Sequence, residues 1–119
     1  MMRKMVFVIE DDKDISELIT ILLEEEQYEV KTHPNATSFW ESLKEEKPDV
    51  ILLDVKLPDG NGLDICSQVK AKAETSQIPI IMMSAHLNLS GSMKNCHADA
   101  FIAKPFDIDN LIEKVQRYA

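Results

Sequence analysis

Four stretches of this sequence place residues able to do chemistry directly after apolar runs. Glu10-Asp11-Asp12 follow Val6-Phe7-Val8-Ile9, Asp54 follows Val50-Ile51-Leu52-Leu53, Ser84 follows Ile80-Ile81-Met82-Met83, and Lys104 follows Phe101-Ile102-Ala103. Short apolar runs bounded by charge read as buried strands, so each of these groups sits at a strand's carboxyl end. Carboxylates on neighbouring strands, about 4.8 Å apart, repel one another unless a cation intervenes. Glu10, Asp11 and Asp54 therefore form a candidate all-oxygen site for a hard divalent ion, with Mg²⁺ favoured and Mn²⁺ the alternative. Lys104 adds an ammonium and Ser84 a hydroxyl. Together they would surround a transferring group whose charge is spread over three oxygens, which leaves Asp54 as the nucleophile. Asp12 and Asp14 are read as caps of the helical segment that follows them. No helix follows Asp54 directly, because Val55-Lys56-Leu57-Pro58-Asp59-Gly60 reads as a loop.

The elements that must position these groups alternate along the chain. Strands are predicted over Lys4–Glu10, Tyr28–His33, Asp49–Asp54, Ile78–Met83 and Asp99–Ala103. Between them Ile15, Leu18, Ile19 and Leu22 recur at helical spacing, as do Ala36, Phe39, Trp40 and Leu43, and later Ile108, Leu111, Ile112 and Val115 behind a capping Asp107. A third helix is predicted over Leu63–Ala73, and a short or mobile one over Leu87–His97, where apolar anchors are sparse. Such alternation predicts an α/β fold, flavodoxin-like, with a five-stranded parallel sheet in the order 2-1-3-4-5 and helices on both faces. In that order strands one and three are neighbours, and ligands bind beyond their carboxyl ends.

Composition narrows the chemistry. The 119 residues carry 21 acidic and 13 basic side chains, a net charge of −8, which disfavours direct contact with nucleic acid. Residues 1–119 read as one domain, with no apolar block near the roughly 18 residues a membrane span needs and no signal-like leader, so a cytoplasmic protein is predicted. Cys66 and Cys96 stand 30 residues apart in no metal-ligand pattern and read as buried, idle thiols.

Four motifs together resemble the response-regulator receiver domains of two-component, or phosphorelay, signal transduction: Val8-Ile9-Glu10-Asp11-Asp12, Leu53-Asp54-Val55-Lys56-Leu57-Pro58-Asp59-Gly60-Asn61-Gly62, Met83-Ser84-Ala85 and Ala103-Lys104-Pro105-Phe106. The resemblance covers essentially the whole chain. It implies that Asp54 becomes a phosphoaspartate, receiving its phosphoryl group from a histidine kinase or a histidine phosphotransfer protein. It further implies Mg²⁺ held by Asp11, Asp54 and the main-chain carbonyl of Lys56, with Glu10 acting through water. Ser84 and Lys104 would hold phosphoryl oxygens, and the Lys104-Pro105 bond would be cis. Phe101 would be the switch aromatic, responding to Ser84 and altering the surface of the Leu87–His97 segment, the last strand and the last helix, where a downstream protein target binds. Lys56 and His86 flank the phosphoryl position and would modulate its lifetime. Such a domain is a phosphoacceptor that catalyses its own phosphorylation and dephosphorylation rather than a conventional enzyme. A haloacid-dehalogenase-like aspartyl phosphatase fits less well, since Lys56 stands where that pattern needs a second aspartate. A flavodoxin-like carrier would have a phosphate loop where Glu10-Asp11-Asp12 stand. An unphosphorylated interaction module would not need every one of these site residues.

Overall fold

The computed structural model describes residues 3–85 and 96–119. In chain order the elements are β1 (Met5–Ile9), α1 (Lys13–Glu25), β2 (Glu29–His33), α2 (Ala36–Glu45), β3 (Val50–Asp54), β4 (Lys56–Leu57), β5 (Gly60–Asn61), α3 (Gly62–Ala71), β6 (Ile80–Ser84), β7 (Ala100–Ala103) and α4 (Ile108–Tyr118). The main sheet runs β2-β1-β3-β6-β7, all parallel, which is the predicted 2-1-3-4-5 order once the separate β4–β5 hairpin is set aside.

The apolar runs become strands because both of their faces are covered. Successive side chains point to opposite sides of a sheet, and the core divides accordingly. Phe7, Ile9, Ile51, Leu53, Ile80 and Met82 pack with Phe39, Leu43, Ile65 and Val69 of α2 and α3. Val6, Val8, Val50, Leu52, Ile81 and Met83 pack on the other face with Ile19, Leu23, Leu111 and Val115 of α1 and α4. Each such side chain stabilises the fold by roughly 1.5–3 kcal/mol.

Helix boundaries follow local chemistry. Asp12, Asn35, Asn61 and Asp107 are the N-caps of α1, α2, α3 and α4, each accepting from an amide of the first turn. Some expectations need correction. Leu18 and Ile108 are 43% and 46% exposed, because α1 turns Ser16, Ile19 and Leu23 inward and α4 turns Leu111 and Val115 inward. The apolar spacing marked the buried stripe, with Ile19, Leu111 and Val115 in the core and Ile15 and Leu22 against it, but counted one exposed residue in each helix. Helix α3 stops at Ala71, two residues early, and the loop after Asp54 contains the β4–β5 hairpin, paired Lys56 to Asn61 and Leu57 to Gly60. The helix expected over Leu87–His97 lies almost entirely outside the described residues.

Cys66 and Cys96 are both buried thiols, with Cys66 Sγ donating to the Cys96 carbonyl at 3.2 Å. Burial pushes the Cys66 thiol's pKa up, which suits an inert core group.

His33, at the end of β2, is 5% exposed, and its ring packs edge-on against Phe7 at 4.8 Å. Its Nε2 has no hydrogen-bond partner among the described residues. Burial lowers its pKa, the Lys31 charge adds to that, and the Glu46 charge opposes it. The unfolded chain, with an ordinary histidine near 6.5, therefore binds this proton more readily than the folded one. The stability tied to neutral His33 is complete above pH 6.5 and declines as pH falls through that value. His33→Phe should flatten the drop in Tm between pH 7 and pH 5 measured by calorimetry; parallel wild-type and variant curves would contradict the assignment.

Candidate functional site

Adjacent strands deliver the predicted groups to one rim of the sheet. Ile9 pairs with Leu53, Asp54 with Met83, and Ser84 with Ala103, so the residues ending or following β1, β3, β6 and β7 meet there. The acidic run after β1 divides its work. Glu10 extends the ladder through its N–H to the His33 carbonyl at 3.0 Å, and is 3% exposed. Asp11 is exposed. Asp12 turns away to cap α1, its Oδ1 accepting from the amides of Asp14 at 2.9 Å and Ile15 at 3.2 Å. Asp14 lies in the first turn of α1.

Asp54 ends β3 and is 7% exposed. One carboxylate oxygen from each of Glu10, Asp11 and Asp54 lies within 4.8 Å of the others. This donor set is all oxygen and strongly anionic, which fits a hard cation of the Mg²⁺ or Mn²⁺ kind and not a soft thiophilic one.

Lys104 approaches from the far side. Its N–H donates to the Ser84 carbonyl at 2.9 Å, and its Nζ donates to Glu10 Oε1 and to Asp54 Oδ2, the latter at 3.0 Å. The Lys104-Pro105 peptide is cis, as expected. Burial disfavours the Lys104 charge, but its hydrogen bonds to Glu10 and Asp54 outweigh that and raise its pKa. For Glu10 burial dominates. Desolvation, helped by the charge of Asp54, lifts its pKa to about 7 against the opposing bonds from Lys104 and the Asp12 amide. One ammonium is thus bonded to two of the three clustered acidic groups, Glu10 and Asp54, leaving Asp11 and the shared negative charge for a divalent ion to neutralise.

The other predicted residues are distributed around this centre. Ser84 is buried at the end of β6. Lys56 is exposed on β4, two residues beyond Asp54. Phe101 is half-buried in β7, beside Met82 and against the core of the α2–α3 face. His86 lies outside the described residues.

Two residues of the site's surroundings were given no role from sequence. Gly62 opens α3 with its N–H donating to the Val55 carbonyl at 2.7 Å, and a Cβ there would lie 2.0 Å from the Asp54 carbonyl oxygen. Asp59, at the turn of the β4–β5 hairpin, reaches the first turn of α2. Its oxygens accept from the Ala36 amide at 2.7 Å, the Thr37 amide at 3.1 Å and the Thr37 hydroxyl at 2.8 Å. The available signal was Asn35-Ala36-Thr37 itself, a helix start whose open amides attract carboxylates.

Comparison with known proteins agrees with this geometry. Residues 6–116 match the family model described as the response regulator receiver domain. The chain is 32% identical over 117 residues to the DNA-binding response regulator MtrA of Mycolicibacterium paratuberculosis, covering 97% of this chain and 51% of that protein. It is 34% identical to the transcriptional regulatory protein KdpE of Staphylococcus aureus, covering 97% and 49%. The chain thus spans about half the length of these curated relatives. Among solved structures, the response regulator protein TrrA of Thermotoga maritima, in complex with Mg²⁺ and BeF, is similar at 27% identity and a TM-score of 0.88, covering 98% of this chain and 99% of that one.

Proposed function

This chain belongs to the response regulator receiver domain family, and we propose on that premise that Asp54 is its phosphoacceptor, taking a phosphoryl group from the phosphohistidine of a histidine kinase or histidine phosphotransfer protein. The observation that carries this reading is the convergence of Glu10, Asp11 and Asp54 within 4.8 Å, with the Lys104 ammonium bonded to two of them. In the transfer an Asp54 carboxylate oxygen attacks phosphorus, the P–O bond forms as the P–N bond breaks, and the departing imidazole takes up a proton. Lys104 exchanges a carboxylate oxygen for a phosphoryl oxygen, and the Ser84 hydroxyl donates to another.

Asp11, Asp54 and the main-chain carbonyl of Lys56 would hold a divalent cation, with Glu10 acting through water. When bound, the ion neutralises charge on the phosphoryl oxygens. The Mg²⁺ and BeF complex of TrrA supports carrying that requirement to this chain.

Output follows as a population shift. Ser84 and Phe101 are its switch residues, and a protein target reads the face that includes β7 and α4; the 87–97 segment assigned to the same face lies almost entirely outside the described residues. The DNA binding in the name of MtrA is not carried over, because a chain of net charge −8 repels phosphate backbones. No helix among the described residues is long and apolar enough to cross a membrane.

Incubation with labelled acetyl phosphate tests the reading. Label should enter with Mg²⁺ present and vanish with a chelator; equal labelling in both would remove the cation from the mechanism. Lys56→Ala and His86→Ala should each change the rate at which the label is lost, and unaltered decay would end their modulating role.

A further inference from the structure

The β4–β5 hairpin is only two residues per strand, too short to hold its own shape in water. Two contacts dock it onto the start of α2. Asp59 accepts three hydrogen bonds from Ala36 and Thr37, and a Cβ on Gly60 would stand 3.7 Å from that of Ala36, so the hairpin's turn lies against the helix's first residue. The Asp59 carboxylate caps a helix belonging to a different part of the chain, 22 and 23 residues away, and the bonds to those amides hold it ionised. Asn35 already supplies α2 with a local cap through the Ser38 amide at 2.9 Å. The helix therefore does not depend on Asp59 alone for its start. The hairpin's base is held by the Gly62 N–H on the Val55 carbonyl and the Val55 N–H on the Met83 carbonyl, and Asp59 is the polar anchor of its turn. What the hairpin carries is Lys56, two residues from Asp54 and paired with Asn61.

We infer that Asp59 is a positioning residue for the cation site: by pinning the hairpin to α2 it fixes the Lys56 main-chain carbonyl relative to Asp11 and Asp54. The inference rests on the reading of that carbonyl as a ligand. Removing the anchor frees a ligand to wander and weakens the ion's hold without touching any carboxylate of the cluster. Asn at position 59 keeps one acceptor for the Ala36 amide, so it should restore part of the effect.

Titration calorimetry with MgCl₂, well below the melting temperature, tests this on the wild type, Asp59→Ala, Asp59→Asn and Asn35→Ala. Asp59→Ala should weaken Mg²⁺ binding about tenfold or more, the range found when partners that orient metal ligands are removed, with Asp59→Asn between it and the wild type. Asn35→Ala uncaps the same helix without touching the hairpin and should leave Mg²⁺ affinity unchanged while lowering Tm. Equal Mg²⁺ affinity in Asp59→Ala and the wild type would overturn the inference, as would an equal loss in Asn35→Ala, which would mark the effect as general loosening of α2. A wild type that fails to bind Mg²⁺ would overturn the cation site itself and this inference with it, a result distinct from the other two.

Discussion

Asp54→Asn is expected to reduce phosphoryl labelling by at least about 10³-fold, since an amide oxygen offers no anionic nucleophile and loss of an attacking group is among the costliest single changes an active site can suffer. The fold should survive. The amide keeps the shape of Asp54 and can still accept from Lys104 Nζ, which lies 3.0 Å from Oδ2 in the wild type. Removing one of three crowded carboxylates relieves repulsion, so in the absence of Mg²⁺ the variant should melt no lower than the wild type. Full labelling of Asp54→Asn would move the acceptor to another residue; loss of labelling with a collapsed Tm would show a structural defect in place of a missing nucleophile.

The second large effect is Gly62→Ala. The added Cβ would stand 2.0 Å from the Asp54 carbonyl oxygen, 2.9 Å from its carbonyl carbon and 3.0 Å from Val55 Cα. All three are main-chain atoms, so no flexible side chain can yield. Either α3 starts elsewhere and loses the Gly62–Val55 hydrogen bond, or the end of β3 moves and takes Asp54 with it. Overpacking typically costs about 1–3 kcal/mol, and a clash between two pieces of backbone belongs at or above the top of that range. That corresponds to a fall in Tm on the order of 10 °C for a domain of this size, accompanied by loss of labelling. Gly60→Ala is the matched control. Its Cβ meets only the Ala36 Cβ at 3.7 Å, an ordinary contact, and its Tm should stay near the wild-type value. Equal melting of Gly62→Ala and the wild type would show that α3 has slack which the packing here does not reveal.

The rim of the sheet was legible from sequence because each of its residues follows an uninterrupted apolar run, and the strand order follows from alternation and crossover handedness. Asp12 and Asp107 were legible as caps because an aspartate just before a helical apolar stripe has few other local uses. The exposure of single members of two stripes was not. Leu18 and Ile108 fit the spacing, but how far a helix rolls on the sheet depends on its neighbours. Gly62 and Asp59 sit inside a quoted motif, yet their partners are the main chain of Asp54 and the amides of α2, contacts created only when separate elements close on one another. A glycine between a turn and a helix reads as a turn, and nothing local says that a carboxylate will cap a helix more than 20 residues back.

Lys104 also has a mechanical bearing. It follows β7, a border strand whose one hydrogen-bonded neighbour among the described residues is β6, and its ammonium ties that border to groups on two interior strands, Glu10 after β1 and Asp54 on β3. On the proposed function, converting Asp54 to its acyl phosphate would replace a single negative charge with a bulkier, more highly charged group at the inner end of this tether. A changed pull would then act at the margin of the sheet, where the lattice of main-chain bonds resists least, and would carry a chemical event in the interior to the outside.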